Sequence, residues 1–302
     1  MSGRRSCVRA RCATFDDPAI VRTSGQVVGD VRLGRMTSIG DMRETFWTLH
    51  GSGTWVLPNP WDIGSAKLLA SAGFPALATT SSGLAASLGV HDQNVGLEQL
   101  ARHVAALTGA VAVPVNVDAE RCFAPTAAGI PQTIHLLADA GASGISIEDY
   151  DPATGVLDPL ERAVERVAVA AEAAHRHSVV LTARAENALY EPVTDAVLKD
   201  IIDRLIAYRD AGADCLYAPG LVDPAHIAKV VAIGSPVNVL ALAGGPTVAE
   251  LTALGVRRIS TGGSLAFAAY GAMMRAAREL SGPGTATYQH TTLTAAERAA
   301  FD

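Results

Sequence analysis

The sequence predicts a single (β/α)8 barrel, and three observations carry that expectation. From residue 54 onward, short apolar runs alternate with Ala-rich stretches of helical period, and the alternation counts to eight. Most of these runs are continuously apolar, as parallel strands covered on both faces require. Three helical stretches close on a related phrase, Ser71-Ala72-Gly73, Asp139-Ala140-Gly141 and Asp210-Ala211-Gly212, each two βα units from the next. The chain therefore reads as repeated units, with glycine supplying a left-handed helix cap. A doubly wound open sheet is the alternative, but eight regular units close more naturally into a barrel.

Ahead of the barrel, residues 1–41 carry Arg4, Arg5, Arg9, Arg11, Arg22, Arg32 and Arg35 without hydrophobic periodicity, and read as a disordered extension. A transit peptide would also be Arg-rich, but Asp16, Asp17 and Asp30 weigh against one, and the apolar core of a secretory signal is missing. Initiation at Met36 or Met42 is a further alternative. Strands are expected at Trp55–Asn59, Ala76–Thr80, Val111–Asp118, Gly144–Glu148, Val179–Arg184, Cys215–Pro219, Val237–Ala241 and Arg257–Thr261. The helix after the fourth strand is the best marked: Leu160, Ala163, Val164, Val167, Ala168 and Ala171 share one stripe. Asp158 can cap it, Pro159 suits its first position and Glu161 completes a capping-box pattern. The barrel is expected over 42–285, with a tail over 286–302.

With 49% hydrophobic and 5% aromatic residues, the chain can bury a large core of Ala, Val, Leu and Ile. A net charge of -6 argues against a nucleic-acid partner and for a small-molecule one. Cys7, Cys12, Cys122 and Cys215 lack metal-finger or CxxC spacing, which reads as reduced thiols in a cytoplasm. Apolar stretches are interrupted well short of the roughly 20 residues of a membrane span.

In a barrel the reactive groups lie at the carboxyl ends of the strands. Those ends are polar here: Thr79-Thr80-Ser81-Ser82-Gly83, then Asn116, Asp118 and Glu120, Glu148-Asp149, Arg184 and Glu186, Asn238, and Thr261-Gly262-Gly263-Ser264. Carboxylates on neighbouring strand ends resist burial unless a cation neutralises them, and all-oxygen donors suit Mg2+ or Mn2+. Solvated loop acids are the alternative. Arg184 ends an apolar run and needs an anionic partner, either a substrate carboxylate or an internal acid such as Glu148 or Glu186. Ser82-Gly83-Leu84 offers a hydroxyl and backbone N–H groups that could approach an oxyanion. Thr261-Gly262-Gly263-Ser264 is a second candidate anion site, or simply a tight turn. The eight histidines form no metal triad; His91, beside Asp92 in the loop after the second strand, is the one of interest. Cys122 is a candidate nucleophile with only Arg121 to activate it.

Several phrases together resemble the phosphoenolpyruvate mutase / isocitrate lyase superfamily over roughly residues 43–281: Leu57-Pro58-Asn59-Pro60-Trp61-Asp62, Thr79-Thr80-Ser81-Ser82-Gly83-Leu84, Gly89-Val90-His91-Asp92, Gly144-Ile145-Ser146-Ile147-Glu148-Asp149, Ala183-Arg184-Ala185-Glu186 and Pro236-Val237-Asn238. The resemblance implies Mg2+ held by Asp118, Glu120 and Glu148, partly through water, and an oxo-acid substrate that chelates it. It implies a substrate cradle at Ser82, Gly83, Leu84 and Asn238, a substrate-binding Arg184, and Asp92 and Glu148 near the reacting centre. It also implies a homotetramer that exchanges a terminal helix. Three features depart from the family. The Lys-Lys-Cys-Gly-His phrase of isocitrate and methylisocitrate lyases is absent, the stretch between Asp149 and Asp158 lacks the Lys-rich gating loop of phosphonate mutases, and Cys122-Phe123-Ala124 stands where a Gly-Tyr-Gly phrase is usual. The expectation that remains is Mg2+-dependent cleavage of a carbon–carbon bond in a small 2-oxo or 2-hydroxy (di)carboxylate. The alternatives are carbon–phosphorus chemistry on a phosphonopyruvate-like acid and a barrel that binds an oxo acid without turnover.

Overall fold

The computed structural model describes residues 38–302. The expected extension therefore falls mostly outside the described residues. Its last stretch is ordered: Ser38 accepts from the Asp41 N–H at 3.2 Å and the Asp41 carboxylate accepts from the Ser38 N–H, a capping box that starts helix α1 at Ile39–Leu49.

Eight parallel strands follow: β1 Trp55–Leu57, β2 Leu77–Ala78, β3 Val115–Asp118, β4 Gly144–Glu148, β5 Val180–Arg184, β6 Cys215–Tyr217, β7 Val237–Leu240 and β8 Arg258–Ser260. Each lies within the run that predicted it, trimmed at one or both ends except β4. The largest trim is in β3, where Val111 instead terminates the preceding helix and Pro114 lacks the N–H a strand interior needs. The sheet runs β1-β8-β7-β6-β5-β4-β3-β2. Its seam closes where the Ala78 N–H donates to the Pro58 carbonyl at 3.0 Å and the Asn59 amide donates to the Thr79 carbonyl at 2.7 Å. The fold is a (β/α)8 barrel.

Helix α1 covers the amino-terminal end of the barrel. Phe46 is fully buried there against Trp55, Leu57, Ala76, Ala78 and Val180. A Cβ at Gly144 would collide with the Phe46 ring, so the glycine that opens β4 gives that ring its room. With this end plugged, the carboxyl ends of the strands form the open face. The three repeated phrases do end their helices as expected: Gly73, Gly141 and Gly212 take φ of 86°, 98° and 102°. The expected cap at Asp158 is not formed. Pro159 occupies the cap position of the helix α6, Leu160–Arg176, and no side chain bonds there. Asp158 turns inward to Arg121 instead, at 2.7 to 3.0 Å. Between Asp149 and Asp158 the chain makes an antiparallel hairpin, Tyr150–Asp151 with Val156–Leu157. The segment read as a tail includes a helix, Ala295–Arg298, and Phe301 accepts from Lys67 at 3.0 Å. No helix of the described residues is long and apolar enough to cross a membrane.

Candidate active site

Parallel register assembles the site. Glu148 pairs across the sheet with Arg184, Arg184 with Tyr217, Tyr217 with Asn238 and Asn238 with Arg258, so one row of chemically active side chains runs around the barrel. Above this row lies a cavity of about 190 Å3 whose wall includes Asn59, Ser82, Asp92, Asp118, Arg184 and Asn238.

Arg184 organises the mouth. Its Nη1 donates to Asp118 Oδ1 at 2.8 Å, its Nη2 lies 3.1 Å from Glu148 Oε2, and its Nε donates to Glu186 Oε1 at 2.7 Å. Burial works against this charge, but the three carboxylates outweigh it and hold the guanidinium pKa well above its ordinary value. The anionic partner expected of Arg184 is therefore internal in this state. Asp118 is fixed further, its Oδ2 accepting from the Ser81 N–H at 3.2 Å, and Glu148 accepts from Gln93 at 3.0 Å. Asp149 acts as a brace from behind: it accepts from the Glu186 N–H at 3.0 Å, from Tyr208 at 2.6 Å and from Arg204 at 3.1 Å.

The acids outnumber what Arg184 can neutralise. Burial, then repulsion from Asp118 and Asp92, pushes the Glu120 carboxyl up to about 8. Burial raises Glu148 well above the usual carboxylate range despite Arg184, and burial also raises Glu186. Asp92 is raised by the desolvation of its surroundings and, less strongly, by Asp118, although its own surface stays open to solvent. Among the described residues no three Asp, Glu, His or Cys side chains converge as a preformed cation set. Asp118 and Glu148 meet on Arg184, and Glu120 couples to Asp118 through its charge. The residues fit a divalent cation by charge balance and donor type: they are hard oxygen donors with more negative charge than one guanidinium offsets.

Other expected residues divide. Ser82 lines the cavity. Gly83 and Leu84 do not offer free N–H groups, because both stand in the first turn of helix α3, Ser81–Ser87, which Thr80 caps. The Gly83 N–H donates to the Thr80 hydroxyl at 3.3 Å and the Leu84 N–H to the Thr80 carbonyl at 3.0 Å. Asn238 borders the cavity with its amide engaged at both ends, by Arg258 and by Ser260. Cys122 is fully buried and burial pushes its thiol up to about 12, the opposite of an activated nucleophile. His91 is exposed on its loop. Thr261 and Gly262 turn their N–H groups to Asn59 Oδ1, both at 2.9 Å, so that segment closes the barrel seam.

Asn59, Gln93 and Arg258 are among the polar residues of the site to which the sequence reading gave no role. Arg258 had a signal: an arginine at the head of an expected barrel strand, Arg257–Thr261.

A profile described as phosphoenolpyruvate phosphomutase matches residues 46–281. The chain belongs to the phosphoenolpyruvate mutase / isocitrate lyase superfamily. An uncharacterised protein of Mycobacterium tuberculosis is 34% identical over 239 residues, 78% of this chain and 89% of that one. A crystal structure of a protein assigned as a lyase/mutase from Burkholderia cenocepacia J2315 superposes with a TM-score of 0.82 at 44% identity, covering 87% of this chain and 97% of that one. Phosphonopyruvate hydrolase in complex with oxalate and Mg2+ shares the fold, with a TM-score of 0.74 at 23% identity and coverage of 85% and 93%. Membership of this family supports an enzymatic role at the level of the family.

Proposed function

We propose that the protein is a Mg2+-dependent carbon–carbon lyase acting on a small 2-oxo or 2-hydroxy (di)carboxylate. The observation that carries this reading is Arg184 at the cavity wall, held by Asp118, Glu148 and Glu186 amid an excess of acids. Mg2+ would be held by Asp118, Glu120 and Glu148, partly through water, with Mn2+ as the substitute, and would supply Lewis acidity toward the substrate carbonyl or hydroxyl oxygen. Arg184, aligned by Glu186, orients a substrate carboxylate. Ser82 donates its hydroxyl to the same anion, and Asn238 shapes the wall around it. Asp92 and Glu148 would hold and move a proton at the mouth. For a 2-hydroxy acid, the base takes the hydroxyl proton, the bond to the neighbouring carbon breaks with its electron pair passing into an enolate, and the acid returns a proton to that carbon.

The short hairpin over 150–157 favours this reading over carbon–phosphorus chemistry, since its ends are tied into the Asp149 and Asp158 networks and it contains no lysine. A homotetramer exchanging a terminal helix belongs to the same reading. Helix α11, Ser264–Ser281, buries only Ala266 in its own chain and leaves Phe267, Met273, Met274 and Leu280 exposed. Sedimentation of the full chain tests it, with a monomer refuting it.

The functional test follows loss of oxaloacetate, 2-methylisocitrate, dimethylmalate and phosphonopyruvate by NMR, with Mg2+ and with EDTA, in wild type and Asp118→Ala. Metal-dependent turnover abolished by the substitution is expected. Thermal stabilisation by these acids without any product would favour a non-catalytic binding barrel, and turnover of phosphonopyruvate alone would favour carbon–phosphorus chemistry.

A further inference from the structure

The interior wall of the cavity carries a cation with no acid to balance it. Arg258, at the start of β8, is 2% exposed and borders the cavity. Its Nε donates to Asn238 Oδ1 at 2.9 Å, its Nη2 to Thr182 Oγ1 at 2.9 Å, and its Nη1 meets His50 Nε2 at 3.2 Å. His50 is neutral: burial, and then the charge of Arg258, lower its pKa to about 3. Its Nδ1 lies 2.7 Å from the Phe46 carbonyl, which fixes the proton there and leaves Nε2 as the acceptor. Each partner of Arg258 is therefore uncharged, and among the described residues it forms no ion pair. The other buried arginines do: Arg121 with Asp158, Arg166 with Asp158 at 3.9 Å and Arg204 with Asp149, as does the partly buried Arg184 with three acids. A guanidinium has five N–H groups, and three suffice for these bonds.

A second observation lies beside it. Asn116 borders the same cavity, is 4% exposed, and its Oδ1 has no hydrogen-bond partner. That oxygen packs against Gly144, at the foot of the cavity wall. Ser260, also on the wall, completes a polar interior.

We propose that Arg258, with Asn116 and Ser260, forms the subsite for a second anionic group of the substrate. The substrate is then a dianion: its reacting end lies toward Arg184 and the acids of the mouth, and its remote carboxylate points into the barrel toward Arg258. This deepens the reading of the pocket as an oxo-acid site and rests on it. An interior anion supplies the missing countercharge; a substrate with an apolar tail would leave a buried guanidinium uncompensated.

The test compares malonate with pyruvate by thermal shift and calorimetry in EDTA, so that it reads binding and not turnover. In wild type malonate binds more tightly. Arg258→Gln weakens malonate by about tenfold or more, the loss of one charge-assisted contact, and leaves pyruvate unchanged, while Arg258→Lys keeps part of the preference. Equal losses for both acids, or none for malonate, overturn the proposal and reduce Arg258 to a strut for His50. Should Arg258→Gln fail to fold, a crystal structure of wild type with malonate decides: a carboxylate oxygen within hydrogen-bond distance of an Arg258 Nη is expected, and malonate seated wholly at Arg184, or not bound, refutes the subsite. Failure of the lyase reading appears separately, as dicarboxylate binding without metal-dependent turnover.

Discussion

Asp158→Asn separates two accounts of one residue. As a helix cap, Asn would serve about as well as Asp and stability would change by less than about 0.5 kcal/mol. As an ion-pair partner, Asp158 is nearly inaccessible and accepts from Arg121 through both carboxylate oxygens, with Arg166 3.9 Å away. Removing one charge of a buried pair costs about 3–5 kcal/mol, because the partner stays buried and uncompensated. Asp151, 3.6 Å from Arg121, remains to share the load, which places the expected loss near the lower end, about 3 kcal/mol. Urea unfolding of the full chain, read as a midpoint shift at constant slope, measures it. A loss under about 1 kcal/mol would refute the ion-pair account.

Three further outcomes follow from the same geometry. His50 has a folded pKa of about 3 and an ordinary value of 6.5, so the unfolded chain binds the extra proton and stability falls as pH drops below 6.5. That loss reaches about 2 kcal/mol by pH 5, and His50→Gln should flatten this part of the urea-derived pH profile. Gly83→Ala would place a Cβ 2.5 Å from Thr80 Cγ2 and 3.1 Å from Trp61 Cβ, so a loss of about 1–3 kcal/mol is expected in thermal unfolding, and an unchanged Tm would mean that the cap of α3 yields freely. Tyr208→Phe removes a 2.6 Å bond to the buried Asp149 while Arg204 and the Glu186 N–H remain; a cost of about 1–2 kcal/mol in urea is expected, and none would show that Tyr208 contributes packing alone.

The barrel was legible because its signals are distributed. Eight apolar runs and three helix-ending glycines each repeat one physical requirement, and a boundary error in any of them leaves the topology intact. The acids and Arg184 were legible for a related reason: charge at the end of an apolar strand must find a partner. Pairings were not legible. Which carboxylates Arg184 takes depends on the register Glu148 to Arg184 to Tyr217, and register is a property of the closed sheet rather than of any segment. Asp158 misled the reading because Asp-Pro-Leu-Glu fits a capping pattern locally, whereas a buried Arg121 from another strand end claims the carboxylate more strongly. Gly83 and Leu84 misled it similarly, since the Thr80 hydroxyl and carbonyl reach their N–H groups first.

The loop after β3 joins these strands of reasoning. Glu120, Cys122 and Phe123 adopt φ of 47°, 58° and 51°, the left-handed region that glycine favours; of the two positions where the family usually has glycine, Cys122 takes this conformation and Ala124 does not. Each such residue costs roughly 1–2 kcal/mol, so other contacts must hold the loop. They are identifiable. Arg166 donates to the carbonyls of Arg121 and Ala124 at 2.6 and 3.0 Å, Thr133 donates to the Cys122 carbonyl at 2.8 Å, and Arg121 itself is locked by Asp158. Buried polar contacts thus hold the strained loop that keeps Glu120 near the charges of Asp118 and Asp92. A substitution at Asp158, remote from the cavity, should therefore loosen the acidic mouth as well as the fold.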